Sequence, residues 1–314
     1  MTAENKDKAT SAKHWIDELK LHYPKGRVET MSGHEIENLI IRSQNEFLFQ
    51  RVPGKYKKIT AIVKSLSKLK IIPSIETSYH VFRALDDIID EDVPLPENSS
   101  DHDVWLTQIK DSVLFGSNQI PKRISIEYLM ERMFLKLRNQ DIDSEARQEV
   151  VNFINAAALE RKVRQTERVF SKEELSVMYH NTTAPASNIA LIGVGSKNRI
   201  EDVPEFAQIP PRAFSLVALE HDLGQGIFNI PSEILNHCGL SLEELVANPN
   251  VTNQNSAIQG WIKTEVDDLD SSIDNLNSRR LDLRAKLFIN TYIYAIEKID
   301  IDPIRKKISK FSNP

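Results

Sequence analysis

The chain has 314 residues, a formal net charge of −5, 40% hydrophobic and 27% charged residues, an ordinary composition for a soluble protein whose acidic balance argues against non-specific nucleic-acid binding. A single cysteine, Cys238, excludes an internal disulfide and a thiolate metal cluster. Only 10 glycines, about half the average share, argue for long helices rather than a β-rich fold.

The stretch from Met1 to Lys13 is polar and charged, with no secretory leader in it, and no apolar run approaches the roughly 18 residues of a membrane span. The chain is therefore read as cytoplasmic, with peripheral membrane contact left open and the oligomeric state not indicated. Residues 1–12 are expected to be disordered, and residues 13–314 to form one all-α domain. A short helix is predicted over His14–His22, ending before Pro24, and a longer one from Ser32 to Phe49, where Ile36, Leu39, Ile40 and Phe47 recur at helical spacing. Pro53 and Gly54 break it. Tyr56–Leu69 is amphipathic, and Pro73 suits the first turn of a further helix running to about Asp92.

That helix carries the main chemical signal. Tyr79, Arg83, Asp86 and Asp90 are spaced 4, 3 and 4 apart, so at about 100° per residue they share one face. Two carboxylates one turn apart can hold a hard divalent cation that completes its shell with water and substrate phosphate. Arg83 can fork onto a phosphate oxygen. A solvated acidic helix end is the alternative, although a helix C-terminus favours cations and not acids.

Pro94 to Ser100 reads as a polar loop and Val104–Phe115 as a helix. Pro121 opens another that reaches Leu137, and Asp143 or Ser144 caps the next, which leads into a charged run from Glu160 to Arg168. That run alternates acid and base, so intrahelical pairing explains it without a ligand. Ser171 and Glu174 match a capping box, followed by Tyr179 and the small residues Ala184, Ala186, Ser187 and Ala190. Pro204 and the Pro210–Pro211 pair mark helix starts, ahead of Phe214–Leu223. Ile230 to Ser232 begins a short helix that Gly239 ends, and Ser241 with Glu244 is a second capping box. Long amphipathic helices near Asn255–Leu276 and Asp282–Ile299 close the chain. Glu265 to Asp270 reads as a solvated face, and Cys238 beside His237 as structural. There is no Gly-rich phosphate loop and no Ser/His/Asp signature.

Four patches between Ser32 and Ile299 resemble the squalene/phytoene synthase family. Tyr79, Arg83, Asp86, Asp87 and Asp90 are similar to its first aspartate-rich motif. Arg168 to Leu175 with Tyr179 resembles the stretch before its central small-residue helix. Ala218 to Pro231, with Asp222, Gly224, Ile230 and Pro231, is similar to the second aspartate-rich motif and the Pro box after it. Leu283 to Tyr292 resembles the terminal helix that closes the pocket. Ser43 to Phe47, through Pro53, is a fainter match to the family's Ser-rich entry motif. The second motif is degenerate: Ala218 stands where the family has Asn, His221 where it has Arg, and Gly226 where it has the second Asp. Glu220 or Glu160 is a candidate replacement carboxylate.

The resemblance implies an isoprenoid-synthase helical bundle around a central apolar cavity, and a Mg²⁺-dependent transferase (Mn²⁺ as a substitute) acting on prenyl diphosphates. Asp86, Asp87, Asp90 and Asp222 would be the metal ligands, and Arg83, Tyr79, His221 and Tyr292 would meet diphosphate. Asp86, Asp90, Arg83 and Tyr79 would carry catalysis: ionisation of an allylic diphosphate, then coupling to a second prenyl diphosphate. The depleted second motif leaves two alternatives, a cyclase or prenyltransferase that uses one diphosphate, and a non-catalytic binding or assembly protein of the same fold.

Overall fold

The computed structural model describes residues 15–51, 74–96, 101–115, 123–137, 143–166 and 168–311. The expected disorder of residues 1–12, the break at Pro53–Gly54, the Tyr56–Leu69 helix, and the roles of Pro73 and Pro121 lie outside these residues. Among the described residues the regular structure is helical, with no strand, and no helix is long and apolar enough to cross a membrane. The sequence reads as one domain over residues 13–314; the described residues group into two compact units, with boundaries inside two helices.

The first unit comprises residues up to 158, with 188–196. It contains α1 (Trp15–His22), α2 (Lys25–Thr30), α3 (Gly33–Arg51), α4 (Ile75–Ile89), α5 (His102–Phe115), α6 (Ile126–Leu137) and most of α7 (Asp143–Arg164). Ser32 starts α3 with a reciprocal cap, its hydroxyl accepting from Glu35 N at 3.2 Å and its N–H donating to Glu35 at 2.6 Å. Ile36, Ile40 and Leu48 then form a fully buried stripe at helical spacing. It packs on α4, whose Val81, Leu85, Ile88 and Ile89 are 0% exposed, and α4 packs in turn on α6, whose Leu129, Met133 and Phe134 are likewise 0% exposed. Each such side chain contributes about 1.5–3 kcal/mol of burial.

Polar ties fix the register of these helices. The buried Glu37 of α3 accepts hydrogen bonds from Thr77 of α4 and Lys136 of α6, while Lys136 also donates to Thr77 at 2.8 Å. Burial works to raise the Glu37 pKa, but Lys136, Thr77 and the Arg132 charge outweigh it, and the carboxyl is held below its ordinary value. His80 Nδ1 lies 2.7 Å from Gln44 Oε1, a second link between α4 and α3.

The second unit comprises residues 159–187 and 197 onward. It holds the larger part of α8 (Lys172–Gly193), then α9 (Pro204–Gly224), α10 (Ser232–Cys238), α11 (Leu242–Ala247), α12 (Ser256–Ser278), α13 (Leu283–Ile296) and α14 (Asp302–Phe311). Both predicted capping boxes form: Ser171 with Glu174 at 2.9 and 3.2 Å, and Ser241 with Glu244 at 2.8 and 3.2 Å. Gly239 ends α10 at φ +68°, the left-handed conformation glycine adopts without a Cβ penalty.

Two boundaries differ from expectation. Pro204 does open a helix, but α9 continues through Pro210 and Pro211. Each proline removes an i to i−4 hydrogen bond, at a cost of about 3 kcal/mol. The apolar face of Phe206, Ile209, Ala213, Leu216 and Leu223, all buried, offsets it. At the other end, α13 does not simply stop: a π-helical turn over Glu297–Ile301 carries the chain into α14.

Candidate functional site

The C-terminal end of α4 gathers the predicted acidic face. The helix ends at Ile89, with Asp90 as its cap and the Asp90 N–H bonded to Asp86 O at 2.9 Å. Glu91 takes φ +60° and Val93 N returns to Asp87 O at 3.1 Å, so the chain folds back beneath the acids. Asp87 follows the buried His80 and Ala84 along one helix face, and its side chain is 0% exposed, whereas that of Asp86 is 35% exposed and Asp90 is exposed. Arg83, one turn earlier, donates from Nη1 to Asp86 Oδ2 at 2.7 Å and from Nη2 to Asp87, with Asp92 Oδ2 at 3.6 Å. Tyr79 is half-buried one further turn back.

Asp86, Asp87 and Asp92 thus gather around one guanidinium, and Asp90 caps the same helix end, where the helix dipole is negative. Among the described residues no group of three His, Cys, Asp or Glu side chains could hold a metal ion by itself. The all-oxygen donors Asp86 and Asp90 fit a hard divalent cation that draws its remaining ligands from water and phosphate.

The second unit places Asp222 in the last turn of α9. Asn229 Nδ2 donates to Asp222 Oδ2 at 3.0 Å, Arg164 Nη2 donates to Asn229 Oδ1 at 3.2 Å, and Arg164 Nε donates to Glu160 Oε1 at 2.7 Å. A continuous chain of hydrogen bonds therefore runs from Glu160 to Asp222. Asn229 is 6% exposed, and its amide satisfies one partner at each end. Sequence reading missed both Asn229 and the linking role of Arg164, because their partners lie 65 and 7 residues away; only the Glu160–Arg164 spacing was legible.

His221 is 74% exposed, its Nδ1 3.5 Å from Asp222 Oδ1. Glu160 is engaged with Arg164. Glu220 accepts from Lys307 at 2.6 Å and from Asn253 at 2.9 Å, and the Lys307 hydrogen bond leads in holding its pKa down. Gly226 lies beyond the end of α9, in a turn at φ +75°, so this position is not on the helix that carries Asp222. Tyr292 stacks edge-on with Phe206 at 5.6 Å and lies 6.0 Å from Phe288; burial, aided by the Asp300 charge, pushes its phenol up to about 12.

Beside this chain the second unit has a cavity of about 330 Å³ that includes Tyr179, Arg212, Ser215, Asn229 and Glu265 in its wall. Tyr179 Oη lies 2.8 Å from Ser215 Oγ, and burial raises its phenol to about 12, so it stays protonated near neutrality. Glu265, expected on a solvated face, is buried and takes both Nε and Nη2 of Arg212 at 2.9 and 2.7 Å.

No protein-family model and no curated protein matches the sequence. The solved structure of squalene synthase HpnC from Alicyclobacillus acidocaldarius is similar in fold, with a TM-score of 0.58 and 16% identity over 87% of this chain and 96% of that one. At that identity the likeness concerns architecture: the chain has an all-α isoprenoid-synthase fold.

Proposed function

We propose that this protein is a divalent-cation-dependent transferase that consumes a prenyl diphosphate, ionising an allylic diphosphate and coupling the resulting chain to a second prenyl diphosphate. The observation that carries the reading is the acidic end of α4, where Asp86 is part-exposed and Asp90 exposed, on the helix that carries Arg83, itself paired with Asp86 and Asp87. The squalene-synthase-like fold supports it.

In this reading Asp86 and Asp90 hold Mg²⁺, or Mn²⁺ in its place. The ion supplies Lewis-acid stabilisation of the leaving diphosphate. Arg83 presents its guanidinium to a diphosphate oxygen, and Asp87, buried behind it, keeps the fork oriented. Tyr79 donates from the same face. Asp222, within the second unit, is the carboxylate at the second-motif position, oriented through Asn229 by Arg164. His221, mostly exposed, stands beside it, and Tyr292 packs in an aromatic cluster with Phe206 and Phe288.

A second reading follows from the last turn of α9, where Asp222 has no acidic neighbour at 218 or 226. A weaker second diphosphate site favours chemistry on a single diphosphate, either cyclisation or transfer to another acceptor. Product analysis separates the two. Incubation with one prenyl diphosphate and Mg²⁺ should give a doubled-length product if coupling is the reaction. Cyclised or acceptor-linked products would establish the second reading. Absence of turnover with geranyl, farnesyl and geranylgeranyl diphosphates would favour a non-catalytic binding role instead.

A further inference from the structure

The first unit contains a cavity of about 460 Å³ that the proposed chemistry does not use. Its wall is formed by α1, α2, α5 and the start of α6. Its wall is mixed: Ile16, Trp105, Ile109 and Ile126 stand in it, each no more than 4% exposed, beside Pro96 and the polar Ser125. The charged groups lining it are Lys20, Lys25, Arg123 and Glu127, a positive excess in a chain whose net charge is −5.

These cations are not equally committed. Lys20 Nζ is held at 2.6 Å by the buried Asp17. Among the described residues Lys25 pairs with Glu29 at 3.9 Å and is 88% exposed, while Arg123 pairs with Glu127 at 3.6 Å and is 52% exposed. Both separations exceed hydrogen-bond length, and such exposed pairs contribute little. An arriving anion can therefore displace the carboxylates. Tyr23 and Gln108 add a phenol and an amide to the same wall. The volume lies within the range of small-ligand sites.

We infer that this cavity binds a single-chain anionic amphiphile, its hydrocarbon tail against Ile16, Trp105 and Ile109 and its phosphate or carboxylate at Lys25 and Arg123. Burial of the tail supplies the driving force, and charge complementarity at the mouth fixes its orientation.

The test is calorimetric titration of the full-length protein with dodecyl phosphate, kept below its micelle concentration, beside inorganic phosphate and vesicles of neutral and anionic phospholipid. The expected result is saturable one-to-one binding of dodecyl phosphate, no binding of phosphate alone, and no sedimentation with either vesicle. The K25E/R123E double variant, altered only at exposed positions, should weaken binding by at least about tenfold, as loss of one charge-assisted hydrogen bond does. Gln108→Trp, which fills the cavity from its exposed rim, should do the same. Asp86→Ala/Asp90→Ala should leave this binding intact, which separates the cavity from the candidate diphosphate site. Unchanged binding in K25E/R123E, absence of binding, or association only with anionic vesicles would each overturn the assignment.

Discussion

At the scale of single residues, the acids of the two units differ in how they are held. Asp222 is positioned by a neutral amide, Asn229, which is itself fixed by Arg164. Replacing Asn229 by Leu keeps the bulk and removes both hydrogen bonds, leaving Arg164 and Asp222 without this shared partner. Steady-state assays of Asn229→Leu should show turnover reduced about tenfold, the lower end of what loss of an orienting partner costs, and a raised requirement for Mg²⁺. An unaltered Mg²⁺ dependence would mean that the amide has no positioning role. Glu37 tests a different quantity. Its folded-state pKa lies below its unfolded value, so its contribution to stability is present above the unfolded pKa and is lost as pH falls through the folded one. Glu37→Gln should be destabilised by about 3 kcal/mol near neutrality, the loss expected when one partner of a buried ion pair is removed. In denaturant titrations at successive pH values, the gap from the parent protein should narrow below about pH 4.5.

At the scale of elements, local chemistry was legible wherever the sequence itself contained the partner. The Ser171 and Ser241 capping boxes, the Gly239 stop and the face shared by Tyr79, Arg83 and Asp86 follow from spacing within a few residues. Reading failed where tertiary packing overrode a local rule. The Pro210–Pro211 pair looks like a helix start, yet the apolar face of α9 carries the helix through it. Glu265 looked solvated because Arg212, its partner, lies 53 residues away. The hydrogen-bond chain from Glu160 to Asp222 was hidden for the same reason. Helix starts that rest on one residue remain testable: Asp282 accepts from Arg284 N and Ala285 N at 3.0 and 2.9 Å and also from Lys197 N at 3.0 Å. Asp282→Ala should cost about 1–2 kcal/mol, read by chemical denaturation; a cost indistinguishable from zero would show that α13 is held by packing alone.

At the scale of the whole molecule, composition and helical periodicity reported the all-α class, and the order of motifs pointed to the isoprenoid-synthase architecture that the structural comparison shows. Fold does not fix activity, and the acidic face of α4 makes a sharper demand. Because no three His, Cys, Asp or Glu side chains among the described residues are placed to hold a metal ion together, Mg²⁺ alone should bind weakly and barely move the melting temperature. Mg²⁺ with inorganic pyrophosphate should raise it, since a ligand that binds only the folded state stabilises that state. Equal shifts with and without pyrophosphate would contradict the shared-shell arrangement.

The central claim is tested most directly by pyrophosphate release from farnesyl diphosphate in the presence of Mg²⁺, with Asp86→Ala/Asp90→Ala measured beside the parent protein and both confirmed as folded. The account predicts metal-dependent release that falls at least about a hundredfold in the double variant, as expected when electrostatic stabilisation of a leaving group is removed. Release that persists at the parent rate in the folded double variant would contradict it.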